Sequence, residues 1–251
     1  MFFLVYRNFL GLIAFLTILP VGKSAKNFEI ENISKNMFLF PIVGLIIGSL
    51  TLPIIVTSLY FFNQYIAAFI VTIFLIIITG VHHTDALADF IDGLMVKGNK
   101  EKKHQVMHDP RVGSAGAVAI SGYIIGMTLA IASFSSIDRL LISIIIAEIV
   151  AKYSMILQAA CSNSAWEGYS SHFTKNMKSR KKIVIASVVT IILITLISFS
   201  NLIVGFQILI LGIICALIVI HISNKNLGGI SGDVMGATNE IVRLVSLISV
   251  T

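Results

Sequence analysis

Unbroken apolar runs separated by short polar segments dominate the chain, with neither the strict alternation of a half-buried strand nor the one-sided stripe of a soluble helix. A helix needs about 20 apolar residues to cross a bilayer. The pattern predicts spans at Met37–Phe62, Tyr65–Gly80, Val112–Phe134, Leu140–Ala160, Ile183–Phe199 and Leu202–Ile222, the second of them short. The opening run, MFFLVYRNFLGLIAFLTILP, holds Arg7 inside it rather than before it, which is wrong for a secretory signal. An interfacial or re-entrant segment ended by Pro20 fits it better. The expected fold is all-α: a polytopic helical membrane bundle of about six transmembrane helices plus that N-terminal segment, with residues 1–251 forming one transmembrane domain.

Composition removes the soluble alternative. Apolar residues make up 57% of the chain and charged ones 12%, so lipid must be its main solvent. The charges are unevenly placed. Lys23, Lys26 and Lys35 precede the first span; Lys97, Lys100, Lys102, Lys103 and Arg111 follow the second; Lys175, Lys178, Arg180, Lys181 and Lys182 follow the fourth; Lys225 follows the sixth. With six spans these loops share one face, and the bias of basic residues toward the cytoplasm makes that face cytoplasmic; the membrane is expected to be the cell membrane. The net charge of +6 then needs no nucleic acid to explain it, although an anionic substrate or lipid headgroup is compatible with it. A homo-oligomer is likewise compatible. Cys161 and Cys215 are too few for a disulfide framework or a zinc site and read as packing residues.

Three polar clusters fall on that same face. His82-His83-Thr84-Asp85-Ala86-Leu87-Ala88-Asp89-Phe90-Ile91-Asp92-Gly93 follows the second span. At about 100° per residue, Asp85, Asp89 and Asp92 lie within about 60° of one another on a helix, with His82 on the same flank. Like charges so close repel, and the arrangement makes sense if a cation sits among them; oxygen ligands favour Mg²⁺ or Mn²⁺ over zinc. The bland alternative, a solvated acidic helix end, should mix in Lys or Glu, whereas Ala, Leu, Phe and Ile fill the gaps. The second cluster, Met107-His108-Asp109-Pro110-Arg111-Val112-Gly113-Ser114-Ala115-Gly116, combines an Asp-Pro turn, a guanidinium fork and small residues, a combination suited to phosphate, unless Asp109 merely caps a helix. The third, Leu227-Gly228-Gly229-Ile230-Ser231-Gly232-Asp233-Val234-Met235-Gly236-Ala237, has the glycine density of an anion-binding nest, with Asp233 and Glu240 available to a metal or a hydroxyl. Its alternative is a flexible connector. His104 and His108 sit four apart among lysines, which favours a basic helix near substrate over zinc; Glu148 and Lys152, also four apart, read as an intrahelical ion pair or as residues lining the site.

HHTDALADFIDGL, MHDPRVGSAGAVAI and LGGISGDVMGATNE, with the earlier LTILPVG and FPIVGLIIG, resemble the cobalamin synthase family, the adenosylcobinamide-GDP ribazoletransferases, along nearly the whole chain. Ala86 stands where the family pattern leads us to expect Gly, and Lys152 where it leads us to expect Arg; neither removes a carboxylate. The resemblance implies that α-ribazole, or its 5′-phosphate, attacks adenosylcobinamide-GDP and that GMP leaves. It also implies Mg²⁺ on Asp85, Asp89 and Asp92, with Asp92 or Asp89 accepting the attacking hydroxyl's proton. His82, Asp109, Arg111, Gly229, Gly232 and Asp233 would bind substrate, Arg111 through phosphate. Two other readings share parts of this pattern. A CDP-alcohol phosphatidyltransferase-type lipid enzyme would use the same metal chemistry on a different donor. A cation transporter would need acids at the membrane midplane, where the predicted spans are nearly free of charge.

Overall fold

The computed structural model describes residues 2–22 and 29–251, so Lys23 and Lys26 lie outside the described residues. Among the described residues it contains twelve α-helices and no strand beyond an isolated bridge between Ser164 and Ile230. They are α1 (Phe2–Leu16), α2 (Ile30–Lys35), α3 (Phe40–Phe61), α4 (Gln64–Ile78), α5 (His82–Met95), α6 (Lys100–Met107), α7 (Ser114–Ala132), α8 (Ile137–Cys161), α9 (Tyr169–Met177), α10 (Arg180–Ile197), α11 (Leu202–Leu227) and α12 (Gly232–Ile248).

Four stretches are each long and apolar enough to cross a membrane: Met37–Phe61, Ser114–Ala132, Ile137–Cys161 and Leu202–Leu227. The chain is thus a multi-pass membrane protein. The expected second span corresponds to α4, which reaches span length only together with α5 across an 88° bend. The expected fifth, α10, carries Arg180, Lys181 and Lys182 in its first turn. Helix length and composition alone therefore give four spans, or five with the bent pair, where the apolar pattern suggested six. The outward faces of α7, α10 and α11 expose Val118, Ile125, Leu129, Val184, Val188, Ile203 and Ile210, as a surface solvated by lipid should.

The helices pack through small residues, as apolar helices in lipid must when burial gives no drive of its own. Gly44 and Gly48 of α3 lie against the backbone of α8, where a methyl group would come 2.9 Å from Ile149 Cα and 2.7 Å from Ile145 Cα. The short connections at one end are closed by caps: Asn63 Oδ1 accepts from the amides of Tyr65 and Ile66 at 3.1 Å, and Ser136 and Asn201 cap α8 and α11. At the opposite end the polar loops meet. The amide of Ala165 donates to Ile230 and that of Ile230 to Asn163 (2.8 and 2.9 Å), Lys178 Nζ donates to the Ser162 carbonyl, and Asn176 reaches Ser34 of α2.

Two elements depart from the sequence pattern. α1 ends at Leu16, before Pro20, and buries Leu12 and Leu16; the chain beyond it docks on α4 through the Ile18 amide and the Ile78 carbonyl (2.9 Å). More importantly, the C-terminal segment is not a connector. As α12 it packs among α5, α7, α8 and α11, and the Gln207 amide near the start of α11 donates to the Ser249 carbonyl just past its end, so α12 runs the depth of the bundle. It brings Glu240 and Arg243 to its centre, fully buried, beside Glu148 and Lys152 of α8. The expectation that the membrane interior is nearly free of charge is therefore corrected.

Those charges neutralise one another. The Arg243 guanidinium pairs with Glu148 and with Glu240 (2.6 Å) and donates to the Tyr123 hydroxyl (2.8 Å); Lys152 Nζ donates to Asn239 Oδ1 (2.7 Å), whose amide donates to Glu240 (3.1 Å). The Glu148–Lys152 pair exists at 3.7 Å but is the looser of the lysine's contacts. Glu240 is thus a structural partner of Arg243, not a ligand held ready in the site.

Candidate active site

The acidic helix α5 owes its direction to two residues. Gly80 and Val81 both take positive φ, 69° and 65°, and turn the chain sharply after α4; a β-branched residue there is strained. We read α5 as lying at the loop end of the bundle and not as a span. Its last carbonyls are capped by Lys103 of α6, whose ammonium donates to Gly93, Leu94 and Val96 at 3.1, 2.9 and 2.9 Å. This lysine of the basic helix expected near substrate is therefore buried and holds α5 to α6.

Asp85, Asp89 and Asp92 do lie on one helix, and Asp233, in the first turn of α12, joins them. Burial, then the charges of Asp85, Asp233 and Asp92, push the Asp89 carboxyl up from 3.8 to about 7, while nearby His108 opposes the shift. Asp92 differs from its neighbours. Its two oxygens accept the amides of Gly113 (2.7 Å) and Gly116 (2.9 Å), capping the positive end of α7. That geometry explains the small residues after Arg111: a methyl group on Gly113 or Gly116 would occupy the Asp92 carboxylate, and on Gly116 it would also stand 3.0 Å from Ala88. Gly116→Ala is expected to cost about 1–3 kcal/mol through overpacking. A lowered midpoint of thermal unfolding in detergent checks this; an unchanged midpoint would show that the contact yields freely.

The two glycine and arginine motifs behave differently from their sequence reading. Arg111 is exposed and its fork is already closed on Asp109, with Nε to Oδ1 at 2.9 Å and Nη2 to Oδ2 at 2.8 Å, which holds the Asp109 carboxyl well below the usual carboxylate range. Neither residue lines a cavity described below. Gly229 is pressed against the backbone of 163–165, where a methyl group would come within 2.6 Å of the Asn163 carbonyl oxygen; it serves the crossing of two loops rather than an anion nest. Gly232, by contrast, meets open space.

A cavity of ≈ 500 Å³ opens beside α5. Its polar wall is formed by His82, His83, Asp85, Gly232 and Asp233, and its apolar wall by Phe15, Met155 and Phe173. Gly236 of α12 allows the close approach: a methyl group there would come 2.6 Å from the Ala86 methyl, so an alanine after Asp85 is accommodated by a glycine across from it. His83 is buried, and its Nδ1 has no hydrogen-bond partner, Glu240 standing 3.8 Å away. A second cavity, of ≈ 440 Å³, adjoins the first through Tyr169, Gly232 and Asp233. It contains Trp166, which the sequence reading passed over; a lone tryptophan in a polar loop was the available signal. Burial and neighbouring His108 lower the pKa of His104 in its wall.

Among the described residues, no group of three or more His, Cys, Asp or Glu side chains is placed to hold a metal ion. Magnesium asks for less, commonly one or two carboxylates with phosphate oxygens and water completing its shell. Burial first, and then the repulsion of neighbouring carboxylates, raises the Asp89 carboxyl, and a divalent cation would relieve the second.

A lipid-embedded helical bundle with a carboxylate-rich cleft and adjoining cavity at its loop end belongs to the class of polytopic membrane enzymes. The chain belongs to the cobalamin-5-phosphate synthase family, whose sequence profile matches residues 8–251. It is 30% identical over 263 residues to an adenosylcobinamide-GDP ribazoletransferase of Methanococcoides burtonii, covering 100% of this chain and 92% of that one. Similar proteins of the same description occur in Pyrococcus abyssi (30% identity, 95% of each chain) and Clostridium tetani (31%, covering 96% of this chain and 94% of the other). No solved structure matches the chain.

Proposed function

We propose that the chain is an adenosylcobinamide-GDP ribazoletransferase of the cell membrane, working at the cytoplasmic face, that joins adenosylcobinamide-GDP to α-ribazole or its 5′-phosphate and releases GMP. The observation that carries this reading is a cleft at the loop end of the bundle lined by Asp85 and Asp233, with Asp89 close enough to feel both charges, in a chain matched by that family over residues 8–251.

In the reaction a ribose hydroxyl of the acceptor attacks the corrinoid-side phosphorus, the anhydride P–O bond breaks, and GMP carries the bridging oxygen away. Such transfer depends mainly on positioning and on neutralising charge that builds on the diphosphate. Mg²⁺ bound by one or two of Asp85, Asp89 and Asp233 would supply that neutralisation. Asp92 contributes indirectly, by fixing α7 against α5. Of the two candidate proton acceptors, Asp89 is the one whose carboxyl titrates near neutrality, the range in which a general base is most effective, while both oxygens of Asp92 accept backbone amides. The apolar wall of Phe15, Met155 and Phe173 offers the large corrinoid a non-aqueous surface.

Asp89 must lose its proton to serve as ligand or base. At limiting Mg²⁺, kcat/KM should therefore rise about tenfold per pH unit below about 7 and level off above it, and saturating Mg²⁺ should move the midpoint to lower pH because the cation favours the charged form. A flat profile, or a midpoint unmoved by Mg²⁺, would count against Asp89. The donor is tested by offering purified protein adenosylcobinamide-GDP with α-ribazole, and separately CDP-diacylglycerol with glycerol phosphate. Product from the first pair alone is expected; product from the second alone would transfer the assignment to a lipid enzyme.

A further inference from the structure

The second cavity has a wall of three rings. The Trp166 indole lies 4.1 Å from the His104 ring and 5.9 Å from that of His108, and the two imidazoles are 4.3 Å apart, centroid to centroid. Two segments distant in sequence build it: α6 presents His104 and the residue that caps its end, His108, and the α8–α9 loop presents the tryptophan. That loop is firmly mounted. Its backbone is bonded to Ile230 on both sides of Ser164, and the Ser164 hydroxyl meets the Trp166 carbonyl at 2.6 Å and the Ser170 hydroxyl at 2.7 Å. The lining also includes two carboxylates, Glu167 and Asp233, the latter shared with the acidic cleft.

The three ring planes are inclined at 53°, 58° and 69° to one another, so a planar heterocycle can stack on one face only, and carboxylates in the same cavity favour one whose edge carries N–H donors. Bases stack on Trp and His faces regardless of sequence, so the carboxylates must do the discriminating. Guanine presents a ring N–H beside an exocyclic amine, a pair that one carboxylate can accept together. Adenine sets an acceptor nitrogen beside its amine, which a carboxylate repels, and a benzimidazole bearing ribose on its nitrogen has no N–H at all. We propose that this cavity binds the guanine of the nucleotide donor, stacked on Trp166 with its N–H edge accepted by Glu167. The proposal rests on the reading of the chain as a transferase that releases GMP, and it locates that leaving group. The diphosphate would then cross at Asp233 toward Asp85 and Asp89, and the corrinoid would fall on the side of the larger cavity.

Trp166 is the chain's one tryptophan, so its fluorescence reports on this cavity alone. Purified protein, excited beyond the nucleotide absorption band, is titrated with GMP, AMP and α-ribazole separately. Saturable quenching by GMP, at least tenfold weaker quenching by AMP and none by α-ribazole are expected, with Glu167→Gln erasing the preference for GMP over AMP. In steady-state assays Trp166→Ala should raise KM for adenosylcobinamide-GDP roughly tenfold or more, leave KM for α-ribazole unchanged, and be rescued by Trp166→Phe, which restores a stacking face. A merely structural tryptophan would move both KM values together. Wild-type transfer without GMP quenching and with unchanged donor KM in Trp166→Ala overturns the proposal and leaves the transferase reading intact; quenching by α-ribazole in place of GMP overturns it by seating the acceptor here. If the wild type forms no product from these substrates, the transferase reading fails, and the GMP titration still decides whether the cavity takes guanine.

Discussion

Asp89→Asn is expected to lower kcat by about 10²–10⁴, the range lost when a positioned charge or proton acceptor is removed from a transfer site, while the protein becomes more stable above neutral pH. The two effects have one cause. Burial and three neighbouring carboxylates hold Asp89 near 7, against an ordinary 3.8, so the folded state disfavours its charged form. A raised carboxyl pKa adds nothing below about 4, destabilises progressively as pH climbs toward 7, and destabilises fully beyond it. The neutral amide removes that cost, so the unfolding midpoint of Asp89→Asn should exceed wild type at pH 8 and match it at pH 4. Asp92→Asn should behave in the opposite way. It replaces a carboxylate that caps α7 with a group that can accept from only one side, and should lose stability at neutral pH. Finding the two mutants alike in both activity and stability would remove the division of roles between them.

Arg243→Met is expected to destabilise the bundle by about 3–5 kcal/mol, because it leaves two buried carboxylates, Glu148 and Glu240, with Lys152 alone to balance them. Pairing it with Glu240→Gln, which keeps Glu148 opposite Lys152, should recover much of the loss, since removing a buried pair costs far less than breaking one. Thermal unfolding in detergent, compared across the single and double mutants, checks the effect. A single mutant as stable as wild type would mean that water reaches these residues.

The helical membrane character and the acidic face of α5 were legible in the sequence because both depend on local spacing: apolar run length for the first, acids three and four apart for the second. What could not be read depends on partners distant in the chain. Asp92 looks like its two neighbours until Gly113 and Gly116 are seen on its oxygens. Arg111 is the exception, its partner being local: the fork looks free for phosphate until Asp109, two residues before it, is seen to close it. α12 was missed because its Asp, Asn, Glu and Arg argue against a span when counted alone; their partners are on α7 and α8. Trp166 and the histidines of α6 likewise become a surface only when two loops meet. Glu148 and Lys152 could be paired from their spacing, but not the network to which they belong.

The measurement that bears most directly on the acid cluster is the yield of GMP and of joined corrinoid from purified protein given adenosylcobinamide-GDP and α-ribazole while Mg²⁺ is removed by chelator and then restored. Equal amounts of the two products with Mg²⁺, neither in chelator, full recovery on adding Mg²⁺ back, and little of either from Asp89→Asn are predicted. Undiminished product in excess chelator, or from Asp89→Asn, would contradict the assignment.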